Sequence, residues 1–183
     1  FDNCPSLVLV SLPSTLQTLG NYAFRNCVSL KNVNFAKNSV IEVLYIGTFY
    51  QCDSLESIEL PASLTEIPEL LESDTKSYGL GLFYECGSLK RVVFEEGSKL
   101  TKIGSYAFSG TVLESINFPS ALASIGKQAF EKTNLTTLTI PVTVTSIGEN
   151  AFDGCKKLTS VTLGAGVKVL PSYVFQNCDA LTT

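Results

Sequence analysis

Eight phenylalanines, at positions 1, 24, 49, 83, 108, 130, 152 and 175, recur at intervals of 22 to 25 residues, apart from one interval of 34. The residues around them recur too: "SIGENAFDGC" opens at Ser146, "SIGKQAFEKT" at Ser124 and "KIGSYAFSGT" at Lys102. One unit reads Ala-Phe-x-x-Cys-x-x-Leu-x-x-Ile-x-Leu-Pro-x-x-Leu-x-x-Ile-Gly-x-x. A period of this length marks a repeat array, because a unit so short cannot bury its apolar side alone. Stacked copies can, with strand lying on strand and Phe on Phe.

Each unit divides into physical parts. "LESIEL" (Leu55 to Leu60), "LESINF" (Leu113 to Phe118) and "LTSVTL" (Leu158 to Leu163) alternate apolar and polar residues and predict strands with one buried face. Pro61, Pro119 and Pro141 end the pairing. A second apolar piece follows, such as "LTEI", "LASI" or "VTSI". The glycine after it (Gly20, Gly104, Gly126, Gly148) predicts a turn with positive φ. The Ala-Phe phrase is then long enough for one helical or 3₁₀ turn, with Phe plugging the interior. The fold class expected is an α/β solenoid, a strand-rich superhelix of about eight coils forming one array over residues 1–183. About eleven extra residues stand within "PELLESDTKSYGLG" and predict an insertion loop around 69–81. The first unit opens at its Phe and the last stops at "LTT", with no polar end cap in either, so the chain reads as a segment of a longer protein, the alternative being end coils that pack against another copy.

Composition narrows the function. The chain of 183 residues is 45% hydrophobic and carries a net charge of −4, with no dense Lys/Arg cluster. A phosphate backbone needs such a basic face, so no nucleic-acid partner is expected. No apolar run is long enough to span a bilayer, so no membrane insertion is expected within this segment. The absence of histidine removes Ser-His-Asp and Cys-His triads and imidazole metal sites. Glu56, Glu59 and Glu114 could meet across coils, but on an open sheet rather than in the cleft that acid–base work requires. No catalytic residue, cofactor or metal site is therefore expected.

These phrases resemble the leucine-rich repeats of the BspA-like type, known from bacterial and protozoan surface proteins, including those of Treponema and Bacteroides. The Ile-Gly-x-x-Ala-Phe-x-x-Cys and Leu-x-x-Ile-x-Leu-Pro phrases follow the family's order over nearly the whole chain, from Phe1 to Leu181. The resemblance implies a right-handed solenoid and a role in adhesion or host-protein binding at a cell surface or after secretion. The implied partner is a protein ligand, such as an extracellular-matrix or cell-surface protein of a host. Some positions depart from the pattern: Tyr45 replaces the Gly, Thr48 the Ala, and Phe35-Ala36 the Leu-Pro pair. Two coils, "FSGTVL" and "FEKTNL", are one residue short.

Cys4, Cys27, Cys52, Cys86, Cys155 and Cys178 all lie three residues after a Phe, and Thr111 and Thr133 fill the same place in the other two coils. Thr can replace a small buried residue but not half of a disulfide, which favours a column of buried free thiols over a disulfide framework or metal ladder.

The candidate binding face comprises the residues flanking the strand Ile: Asn32, Asn34, Ser57, Glu59, Arg91, Val93, Ser115, Asn117, Thr137, Thr139, Ser160 and Thr162. They point away from the core on a sheet of the kind solenoids use for binding. The face lacks aromatic anchors, so a structural spacer without its own ligand is the alternative. A fragment of an enzyme whose chemistry lies elsewhere is a third reading. A second candidate is the insertion, with Tyr78 as its anchor, against the alternative of a surface insertion tolerated at little loop-entropy cost, which is favoured. Tyr22, Tyr106 and Tyr173, each two residues before a Phe, are expected to fill space.

Overall fold

A computed structural model describes residues 1–68 and 81–183. The strands are β1 (Leu9–Leu12), β2 (Asn32–Phe35), β3 (Ser57–Leu60), β4 (Glu66–Ile67), β5 (Arg91–Phe94), β6 (Lys102–Ile103), β7 (Ser124–Ile125), β8 (Thr137–Thr139), β9 (Ser146–Ile147) and β10 (Ser160–Thr162). All pairing is parallel and joins successive coils. The Leu-x-x-Ile-x-Leu strands form two-stranded sheets, β1-β2, β3-β5 and β8-β10, while the shorter strands form a continuous sheet β4-β6-β7-β9. β3 pairs with β5, Ser57 opposite Arg91 and Leu60 opposite Phe94, although the longest interval of the chain lies between them. The insertion itself, including Tyr78, falls outside the described residues.

Alternation sets the inside of the strands. Leu55, Ile58 and Leu60 are buried, while Ser57 and Glu59 between them are exposed. The Phe rings form the second wall of the core. They stack one per coil from Phe1 to Phe175, centroids 5.1 to 5.6 Å apart and planes within 17° of parallel.

The turn that carries each Phe is not the helical or 3₁₀ turn expected; among the described residues there is no helix. A helix would send each N–H four residues back along its own chain. Here alternate N–H groups go to the next coil instead, and those between them donate three residues back within the turn. Tyr106, Phe108 and Gly110 donate to the carbonyls of Lys127, Ala129 and Glu131 at 3.0, 2.8 and 2.9 Å. Gln128, Phe130 and Lys132 repeat this toward Glu149, Ala151 and Asp153. Aligning alternate N–H groups in this way needs a left-handed residue on each side of the Phe. Tyr106 has φ 56°, Gly110 72°, Gln128 52° and Lys132 57°. Holding a non-Gly residue there costs on the order of 1 kcal/mol, offset by ladder hydrogen bonds that would otherwise be missing.

The glycines after the second strand need a different account from the one the sequence supplied. Gly20, Gly126 and Gly148 do not have positive φ. A Cβ on Gly126 would lie 2.5 Å from the Ser105 nitrogen, and one on Gly148 2.3 Å from the Lys127 nitrogen. The missing side chain lets successive coils approach.

Candidate functional site: the outward strand face

The register of the strands sets each candidate residue except Asn117 beside a residue of a neighbouring coil. Asn32 lies beside Leu9, Asn34 beside Ser11, Ser57 beside Arg91, and Glu59 beside Val93. A single bridge sets Arg91 beside Ser115, and β8-β10 pairing sets Thr137 beside Ser160 and Thr139 beside Thr162. Val93 and Ser160 are half-buried and the rest are exposed. The face thus brings together hydroxyls, amides, one carboxylate and one guanidinium. Among the described residues the Arg91 side chain has no hydrogen bond or ion pair. Alongside runs an exposed row in which Lys90 lies between Glu56 and Glu114: its N–H donates to the Glu56 carbonyl and its carbonyl accepts from the Glu114 N–H. A lysine thus separates those two carboxylates, and among the described residues no three Cys, Asp or Glu side chains converge as a metal site requires.

The thiols are occupied structurally. Cys52 donates its thiol to the Phe24 carbonyl (3.1 Å), Cys86 to Phe49 (2.9 Å) and Cys155 to Phe130 (3.2 Å), in each case the Phe of the preceding coil. Thr111 and Thr133 bond the Phe carbonyl of their own coil at 2.8 and 3.0 Å. The column therefore asks for a small side chain with one donor, which explains why Cys and Thr exchange there. All six cysteines are free. Burial pushes the Cys52 thiol up to about 12 and that of Cys86 well above its ordinary value. The Cys155 thiol is raised too, first by its hydrogen bond with Cys178 and then by burial.

One aromatic cluster on the turn edge escaped the sequence reading. Tyr50 stacks on Tyr84 (5.8 Å), whose ring meets Tyr106 edge-on (6.2 Å). Arg25 lies over the Tyr22 ring at 5.0 Å and binds Asp2 through two hydrogen bonds of 2.8 and 2.7 Å. The Tyr22 ring covers Gly47, where a Cβ would stand 2.6 Å from it. Tyr106 donates to Gln128 Oε1 (2.6 Å), whereas Tyr173 is 64% exposed. Its signal in the sequence is a tyrosine directly after the plug at Phe49 and Phe83, a place that Asp2, Arg25, Ser109, Glu131, Asp153 and Gln176 fill in the other coils.

Parallel coils of leucine-rich strand, plug and close-approach glycine define a leucine-rich-repeat solenoid. The chain belongs to the BspA-type leucine-rich repeat family, whose region model matches six copies across residues 1–77 and 76–183. Among solved structures it is similar to a leucine-rich repeat protein of T. pallidum, at 28% identity and a TM-score of 0.57, over 100% of this chain and 68% of that one. It is also similar in fold to the pneumococcal vaccine antigen PcpA, at 24% identity and a TM-score of 0.50. That match covers 96% of this chain but only 55% of PcpA. No curated protein matches the chain.

Proposed function

We propose that the chain is a protein-binding, adhesion-type module of a cell-surface or secreted protein, contacting host or neighbouring macromolecules through its outward strand face. It has no chemistry of its own. The observation that carries this reading is the row of exposed polar side chains held on strands whose other side packs on the core, with an Arg91 side chain that has no partner among the described residues. A rigid backing of this kind lowers the ordering cost of binding. Family membership supports the surface location. The test is binding of the whole chain to a panel of immobilised extracellular-matrix proteins, repeated with Arg91→Glu combined with Glu59→Arg. Selective binding that the double variant loses supports the reading, and uniform or absent binding turns it into a spacer.

A further inference from the structure

The strand face is interrupted between β2 and β3 and again at Leu113–Phe118. Leu113–Phe118 carries the same phrase as the strands on either side, yet its pairing with β5 stops at the Arg91–Ser115 bridge. Toward β8 the last bond is from the Thr136 N–H to the Glu114 carbonyl, at 3.2 Å. Among the described residues, no backbone hydrogen bond joins Ile116–Phe118 to either neighbour. Two cavities flank the segment. One, of about 190 Å³, lies toward β5 and is lined by Arg91, Val93, Ser115 and Asn117 among others. The other, of about 250 Å³, lies toward β8, where Asn117, Thr137 and Thr139 border it. The inner wall is closed: Ile116 is buried and the Phe118 ring meets Phe130 edge-on at 5.6 Å.

Main-chain groups released from a sheet need other partners, and because coils flank this segment on both sides a partner reaches them from the outward face. Arg91 is the single charged residue lining the two cavities, and the other polar side chains of the lining are neutral hydroxyls and an amide. A guanidinium fork matches a carboxylate through two parallel hydrogen bonds.

We propose that this interruption is a docking point for an extended, acidic peptide segment of a protein partner, its carboxylate held by Arg91 and its main chain by Ile116–Phe118. The proposal rests on the strand face being the binding surface. An extended segment offers main-chain donors and acceptors at the repeat of the strand it joins, which a compact ligand does not. Val93, half-buried and lining the same cavity as Arg91, supplies an apolar contact for a neighbouring side chain.

The ¹⁵N-labelled whole chain titrated with acetyl-Val-Asp-Val-Asp-Val-amide tests this. The expected result is a shift of the Ile116, Asn117 and Phe118 amides and of Arg91 Nε, with at least tenfold weaker binding for the Val-Asn-Val-Asn-Val peptide and for Arg91→Gln. Arg91 is exposed, so a thermal melt of Arg91→Gln matching that of the parent chain isolates the charge effect from folding. No shift at these amides with millimolar peptide overturns the proposal. So does equal binding of the Asn peptide, or an equal response to glucuronate, which would make this a sugar-acid site. Shifts confined to Asn32 and Ser57 also sink it while leaving the strand face as a binding surface; a matrix panel in which nothing binds sinks both.

Discussion

Phe130 and Phe152, one repeat apart, lie ring on ring with centroids 5.3 Å apart and planes 8° from parallel. Both are fully buried, whereas Phe1, at the start of the column, is 71% exposed and stacks on Phe24 alone. Removing an enclosed ring loses its transfer energy and leaves a cavity between two coils. Phe130→Ala or Phe152→Ala is expected to cost about 3–5 kcal/mol, and Phe1→Ala less than about 1 kcal/mol. Urea unfolding of the three variants checks the ranking; equal small losses would mean that the column is not the core.

The close-approach glycines make a second contrast. Gly148→Ala sets a methyl group against the backbone of the preceding coil and is expected to cost roughly 1–3 kcal/mol. Gly20→Ala meets nothing within 4 Å and is expected to be neutral or slightly stabilising, by up to about 1 kcal/mol. Thermal denaturation of the two variants decides between a spacing role and a conformational one, since a purely conformational role predicts the same effect at both.

Thiol reactivity follows from depth. Cys4 and Cys178 are half-buried while Cys27, Cys52, Cys86 and Cys155 are buried. At pH 8, iodoacetamide is expected to modify the first two first, and the other four only after denaturant is added, giving six labelled thiols in all by mass spectrometry. Fewer than six would reveal a disulfide.

Alkaline pH should loosen the fold. The Cys52 thiol stays protonated in the folded chain up to about pH 12, against an ordinary value of 9.0, because burial disfavours the thiolate. Above pH 9 the unfolded chain therefore releases a proton that the folded chain keeps, and stability falls as pH rises toward 12. The stabilisation is fully present below pH 9, and Cys52 alone accounts for roughly 4 kcal/mol of its loss at the top of the range. Cys86, Tyr50 and Tyr84 are shifted the same way by burial. Urea midpoints between pH 7 and 11 should fall, and Cys52→Thr should flatten the slope.

The strands and the Phe column were legible because both leave apolar residues at fixed places, as in Leu55, Ile58 and Leu60. The outward rows followed from the same alternation, since Ser57 and Glu59 must face away once Ile58 is buried. The turn was harder. Its left-handed positions after the Phe hold Asn3, Asn26, Gly110, Gly154 and Asn177, residue types that tolerate positive φ, but Gln51, Glu85 and Lys132 share the column and hide the signal. Gly126 looked like a turn residue because its reason, a backbone from the preceding coil, is not local in sequence. The interruption at Ile116–Phe118 was not legible, since "LESINF" differs from "LESIEL" in nothing that forbids pairing.

The central claim is that the outward strand face, and not the turn edge, is the binding surface. Surface plasmon resonance of the whole chain over immobilised extracellular-matrix proteins compares the parent with two variants, Arg91→Glu with Glu59→Arg on the strand face and Tyr50→Ala with Tyr84→Ala on the turn edge. The account predicts selective binding that weakens at least tenfold in the strand-face variant and persists in the turn-edge variant. Binding that survives charge reversal at Arg91 and Glu59 but disappears with the tyrosines would contradict it.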